Sequence, residues 1–276
     1  MTRLSAIRVP ILGGRIAYLP AREAAELLAE QIFATRLYAL HRDAHGHIID
    51  DKRSEFIPGK GNDLGSGLVT NVGVQAMALD FSWPANVQTL KLANNHASGT
   101  GTTAAAATDI ALQTSAGPAP VAGTQTNASV ANTAKYQTVA TLAYGGTLAI
   151  TEWGLHSSAT LSATTGSPLT ADSATSATVT AAPFTASSPT VQGETGLIIK
   201  TGTTAVYGLI SSNTTSVLTI PGWWSTTTGA AGATPGTTEA FTLLPVMWDH
   251  KVFAAINVVS GDSIAFTYGV TISSGG

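Results

Sequence analysis

The sequence predicts a mainly β, antiparallel protein, and two stretches carry that expectation. In the C-terminal run Lys251–Ser273, Ile264, Phe266, Tyr268, Val270 and Ile272 fall on one face, and Ser263, Ala265, Thr267, Gly269 and Thr271 on the other. Such period-two alternation of β-branched and aromatic residues marks a strand with one packed face. Before it, Val252–Val259 is β-rich, and Ser260-Gly261-Asp262 between the two has turn chemistry, so a closing hairpin is expected. The second stretch repeats the arrangement: Tyr136–Tyr144, a Gly145-Gly146 turn, and Thr147–His156 read as another hairpin.

In chain order, residues 1–20 read as an extended arm, with short apolar pairs interrupted by Pro10, Gly13-Gly14 and Pro20. From Ala21 to His41 the apolar positions Ala24, Leu27, Leu28, Ile32, Leu37 and Tyr38, widened by Phe33 and Leu40, suit a helical face. Glu23, Glu26 and Glu30 stand near its start and Arg36 and Arg42 near its end, which complements a helix dipole. Residues 47–67 are charged and then Gly-rich, and read as a linker. Gly67–Phe81 reads as a strand entering a short helix, Val87–Asn94 as a strand, and Gly99–Ala107 as a loop; Asn94-Asn95-His96 also reads as loop. Residues 157–190 are a Ser/Thr/Ala-rich connection or a set of weak strands. Leu197–Lys200, Ala205–Ile210 and Ser216–Ile220 form a small β-meander. The expected organisation is an arm and docking helix over residues 1–63, a β core over 64–190 and 241–276, and an inserted β subdomain over 191–240.

Composition narrows the kind of work such a chain does. Charged residues are 11% of its 276, against roughly 25% in an ordinary soluble domain. That deficit suits a surface covered by other subunits, and equally a Thr/Ser-rich secreted β protein. A net charge of −3 argues against nucleic-acid binding, and nine of the thirteen Lys and Arg lie in residues 1–63. With no cysteine there is no disulfide or thiolate metal site. Arginines break every apolar run of the N-terminus, and no stretch of about 18 apolar residues exists, so neither a signal core nor a membrane span is expected.

Several residue groups invite chemistry, and each has a plainer reading. Gly261-Asp262-Ser263-Ile264 resembles the serine block of GDS-type lipolytic enzymes, but it sits in a turn at the wrong end of the chain for that family. Asp43, His45, His47, Asp50 and Asp51 could hold a metal, although His-x-His on a solvated segment is more often two side chains facing water. Glu152 beside Trp153, with Asp249 beside Trp248, has the residue types of a glycosidase acid pair, or of strand-end charges and core tryptophans. Trp223-Trp224 could stack on sugar, plug a neighbouring subunit, or pack in the core. No catalytic, cofactor or metal residue is assigned, and no cofactor is expected.

The run Leu90–Thr114, LKLANNHASGTGTTAAAATDIALQT, resembles a segment of tailed-bacteriophage structural proteins, in which a strand leads into a Gly-Thr-Gly-Thr-Thr loop. Ile150–Thr160 and Val252–Ser274 are similar to a strand and the closing hairpin of those proteins, and Leu197–Ile220 to a small β insert of virion proteins. Together these cover about half the chain, in the expected order. The resemblance implies a non-enzymatic virion component with an antiparallel β-sandwich core, a small inserted β-meander, and an N-terminal arm plus one α-helix. Its partners would be other virion proteins and copies of itself, with no nucleic acid or membrane. Arg3, Arg8, Leu27, Leu28, Ile32 and Phe33 would anchor it to neighbouring subunits, and Trp223 and Trp224 would make further contacts. One alternative is a tail or fibre component binding host glycans through the two tryptophans. The other is a hydrolase using Ser263 or Glu152.

Overall fold

Runs rich in Val, Ile, Thr, Tyr and Phe become strands wherever one face can be buried. The computed structural model describes residues 7–11, 15–19, 33–49, 55–58, 60–81, 93–130, 133–158, 163–164, 169, 171–181, 183–188 and 193–273. Strands β1 (Ile7–Ile11) and β2 (Arg15–Leu19) come first, then β3 (Phe33–Arg42). The short β4 (Phe56–Ile57), β5 (Gly61–Gly65) and β6 (Leu68–Val69) lead to helix α1 (Asn71–Phe81). β7 (Asn95–Gly99), β8 (Val121–Ala122), β9 (Thr124–Val130), β10 (Thr133–Ala143) and β11 (Leu148–His156) follow. The next strands are β12 (Ala163–Thr164), β13 (Ala171–Ser173), β14 (Ser176–Thr178), β15 (Leu197–Thr201) and β16 (Val206–Leu209). β17 (Ser212–Asn213), β18 (Val217–Thr219), β19 (Trp224–Ser225), β20 (Phe241–Pro245), β21 (Met247–Val258) and β22 (Ser263–Ser273) complete the chain.

Two antiparallel sheets, β4-β5-β3-β22-β10-β9 and β6-β21-β11-β7-β8, share one core. Leu37, Ala140, Leu142, Ile264 and Phe266 project from the first; Ile150, Trp153, Leu155, Ile256 and Val258 project from the second. Trp153 is fully buried and stacks on Tyr268 at 5.3 Å between ring centroids, with Phe266 at 6.3 Å. A mainly β protein with a face-to-face pair of sheets is therefore what the sequence folds into.

The strand pairing differs from the expected hairpins. β10 pairs with β22 from Thr133↔Ser273 to Ala143↔Ser263, and β11 pairs with β21. The connections Tyr144–Thr147 and Val259–Asp262 are arches that carry the chain from one sheet to the other. They bond each other: Tyr144 N donates to Asp262 O and Gly261 N to Tyr144 O, both at 2.8 Å. Alternation reveals that a strand has one dry face but not which strand lies beside it. Folding the second strand over the first sets both dry faces against each other, whereas a hairpin would lay them side by side with the core still open.

The predicted helix is corrected where it is described: Phe33–Arg42 is a strand paired with β22 over ten residues. Thr35, Leu37, Ala39 and His41 point inward, all 6% exposed or less, while Arg36 and Tyr38 do not. The spacing Leu37-Ala39 fits period two as well as Leu37-Leu40 fits a helix turn, and the long β22 ladder decides. β4 and β5 pair beside β3, so the sandwich begins at Phe33 and no boundary falls at residue 63. Within residues 1–20, read as an extended arm, β1 and β2 pair with each other as a two-stranded antiparallel sheet from Ile7↔Leu19 to Ile11↔Arg15. The strand predicted at Val87–Asn94 lies mostly outside the described residues. Asn95-His96, read as loop, begins the buried strand β7.

The strand entering a short helix is as expected. Thr70 caps α1, its hydroxyl accepting from Gly73 N at 3.1 Å and donating to Met247 O. Strands from 163 to 245 build two further sheets, β12-β20-β15-β16-β19 and β13-β14-β18-β17. Leu169, Val179, Phe184, Ile199, Leu218 and Trp223 lie in the core between them. This second β unit thus starts earlier than residue 191 and takes in β20. The meander is only half realised: β15 pairs with β16, but β18 pairs with β14 and β17. Val72 and Ala76 of α1 pack with Ile198, Tyr207 and Leu209 on the outer face of the β15-β16 sheet. That sheet is buried on both faces, hence the unbroken apolar runs Leu197–Ile199 and Val206–Leu209.

Candidate functional site

Ionisable residues on inward strand positions must be paired or neutral, because an isolated charge in a dry interior is costly. Glu152 on β11 and His250 on β21 are both completely buried. His250 Nε2 lies 2.9 Å from Glu152 Oε1, and its Nδ1 lies 2.7 Å from Asp109 Oδ2. Both ring nitrogens therefore face carboxylates, the arrangement of an imidazolium that donates twice. Burial alone would lower the His250 pKa, but the bonds to Glu152 and Asp109 outweigh it and hold it above its ordinary value. Glu152 is lowered against the opposing pull of burial by His250 and by the backbone N–H groups of Gln113 and Thr114.

Those N–H groups come from the loop between β7 and β8. Gln113 N donates to Glu152 Oε1 at 2.5 Å, and Gly101 N and Thr114 N donate to Oε2 at 3.1 and 3.2 Å. Gly101 is required here: a Cβ on it would stand 2.6 Å from Glu152 Oε2. Asp109 closes the loop by accepting from Ala106 N at 2.7 Å. The Gly-Thr-Gly-Thr-Thr loop is thus fastened to the second sheet through one carboxylate and one histidine. A general base needs a free nitrogen in reach of a substrate proton, and His250 has none.

Three more buried polar groups surround the core. Trp153 Nε1, which can only donate, gives its hydrogen to His96 Nδ1 at 3.2 Å; His96 Nε2 then carries the proton towards Thr138 Oγ1, also 3.2 Å away. His96 is neutral, its pKa pushed down to about 3 by burial and by the nearby His156. His156 is pushed down to about 3 by burial and the charge of His250, with Glu152 pulling the other way. Asp249 Oδ2 accepts from Tyr268 OH at 3.0 Å across the two sheets, and burial raises its pKa to about 7 against the bonds from Tyr268 and Thr35.

The residues singled out from sequence fall as follows. Glu152 and Asp249 do not form an acid pair; each serves a different partner. Asp262 Oδ2 accepts from Val259 N at 2.9 Å and lies 3.2 Å from His41 Nε2, so this histidine meets the aspartate of the turn rather than Ser263. Asp43 caps a turn by accepting from the N–H groups of His45 and His47, and no group of three metal-ligating side chains occurs among the described residues. Asp50 and Asp51 lie outside the described residues, as do Arg3, Leu27, Leu28 and Ile32. Arg8 is on β1 and Phe33 opens β3, opposite Ile272. Trp223 is not an exposed ring: it is 4% exposed, with its indole N–H donated to Ser173 O at 2.9 Å. Trp224 is half-buried and stacks on Tyr207 at 5.9 Å. His250 and Asp109 have no role in the sequence reading, where Asp109 only follows the Gly99–Ala107 loop. The available signal was an ionisable residue at an inward position in each of two apolar strands, TEWGL and MWDHKVF.

The chain is thus a mainly β protein of antiparallel sheets, with one short helix among the described residues and a clasp in which the buried Glu152–His250 pair is joined by the half-buried Asp109. No protein-family model matches the chain, and no curated protein or solved structure matches it.

Proposed function

We propose that the chain is a non-enzymatic structural protein of a tailed-bacteriophage virion, decorating or cementing the capsid or placed at the head–tail junction. It acts through contacts with other virion proteins and with copies of itself. The observation that carries this reading is the β1–β2 hairpin, a sheet of two five-residue strands that pairs with no other described strand. A lone hairpin is marginally stable in water and gains most by lying on another surface. Arg8 lies within it, and the apolar and basic residues Arg3, Leu27, Leu28, Ile32 and Phe33 flank it in sequence, as an anchoring segment requires. The buried Glu152, His250 and His96 are engaged in bonds that hold the sandwich together, which suits a structural role.

The glycan-binding alternative draws less support, because Trp223 offers no open ring face to a sugar. The hydrolase alternative has the same difficulty, with Glu152 fully buried and bonded through both oxygens. The test is to probe virions purified from an induced lysate of the source strain with an antibody against the chain. Its presence in intact particles, and particles that lose stability when residues 1–32 are deleted, are the expected results. A chain that remains wholly in the soluble fraction overturns the reading.

A further inference from the structure

The edges of the sheets are unequal in a way that points to a contact. The four larger sheets have eight outer strands among the described residues: β4, β6, β8, β9, β12, β13, β17 and β19. Seven of these are two or three residues long. Short edges are a common protection against unwanted strand pairing, because they present few unpaired N–H and C=O groups. β9 is the exception, with seven residues, TQTNASV. It has no proline, lysine or other charge to discourage pairing, and it runs beside β10 from Thr133↔Val130 to Val139↔Thr124 without a bulge. Thr124, Thr126, Asn127 and Ala128 are exposed. A recess of about 550 Å³ lined by Gln125, Thr126, Asn127 and Tyr136 opens on the same strand, leaving room for side chains of an added strand.

We propose that β9 is a self-association edge, at which the β9 strands of two copies pair antiparallel across a two-fold axis and join the two six-stranded sheets into one. The absence of charge selects this occupant. In an isologous contact a residue near the axis faces its own counterpart, so a charged residue there would repel itself, and β9 has none. Among the described strands, β1 and β2 pair only with each other, and they carry Arg8 and Arg15. β9 offers no carboxylate to receive them, and Lys135, opposite Ala128 on β10, would repel them. Peptide hydrogen bonds along seven residues, with Thr and Asn at the surface, make a polar, reversible joint. The inference gives the self-association of the virion reading a surface, but it concerns the purified chain and stands or falls apart from the particle experiment.

Sedimentation velocity of the full chain over a concentration series tests it. The wild type is expected to show a dimer that dissociates on dilution. The double variant Thr126→Lys/Ala128→Lys, both exposed positions, is expected to sediment as a monomer with unchanged circular dichroism and the melting temperature of the dilute, dissociated wild type. Mixing it with Thr126→Glu/Ala128→Glu should restore a dimer containing one of each, weakened by salt. A wild type that is monomeric at every concentration overturns the proposal, and so does a lysine variant that still dimerises. Loss of the dimer without recovery in the mixture also overturns it, since β9 would then receive some other segment.

Discussion

Glu152 on β11 and His250 on β21 form a fully buried pair, Oε1 to Nε2 at 2.9 Å, and the same carboxylate accepts three backbone N–H groups of the loop that follows β7. One side chain therefore links two neighbouring strands and a loop. Removing the Glu152 charge leaves His250 paired with Asp109 alone and weakens the bonds from the buried loop N–H groups, at a cost of roughly 1–3 kcal/mol. Glu152→Gln is expected to lower the urea midpoint accordingly and to make the amides of Gly101 and Thr114 exchange faster with solvent. Both are measured on the purified chain, by chemical denaturation and hydrogen exchange.

Gly101→Ala approaches the same joint from the loop. The new Cβ would meet Glu152 Oε2 and the Gln113 side chain at 2.6–2.7 Å, and overpacking of this kind costs about 1–3 kcal/mol. The expected result is a lower melting temperature, with a smaller loss when Glu152→Gln is already present, because the two changes act on one joint. A double-mutant cycle reads that coupling.

Asp249 sets one part of the pH dependence. Its pKa is raised in the fold to about 7, from 3.8. Between those values the folded chain keeps a proton that the unfolded chain has lost, so this group weakens the fold as pH rises, with the penalty complete above about 7. Asp249→Asn should therefore be more stable than wild type at pH 8, by up to about 4 kcal/mol. The gain should shrink towards pH 4, as urea titrations at several pH values would reveal.

His96 and His156 act in the opposite sense. Both are pushed down to about 3, so below 6.5 the unfolded chain binds protons that the fold refuses, and stability falls as pH falls. Two such histidines outweigh one raised aspartate, and the wild type is expected to become less stable below about pH 6. His156 has no hydrogen-bond partner at either ring nitrogen among the described residues. His156→Leu should therefore be tolerated at pH 7 and should flatten the acid limb of a melting-temperature profile.

Trp223 and Trp224 are adjacent in sequence but differ in surroundings. Trp223→Ala empties part of the core between the two sheets of the second unit, at a cost of roughly 3–5 kcal/mol. Trp224→Ala, which removes a half-buried ring stacked on Tyr207, should cost less. Thermal unfolding of the two variants checks the order.

Legible in the sequence were the β character, the turn positions at Gly145-Gly146 and Ser260-Gly261-Asp262, the short helix after Gly67, and the inward face of β22. Those features depend on alternation and turn chemistry, which are local. Which strands lie beside each other depends on long-range packing. Ile264, Phe266 and Tyr268 have the same alternation whether β22 pairs with β21 or, as it does, with β3 and β10. Phe33–Arg42 is the sharpest case, since Leu37, Ala39 and Leu40 fit a helix and a strand equally well until β22 supplies ten partners. The clasp was hidden for the same reason. Asp109, Glu152 and His250 are far apart in sequence, and a buried charge becomes intelligible only when its partner arrives from another strand.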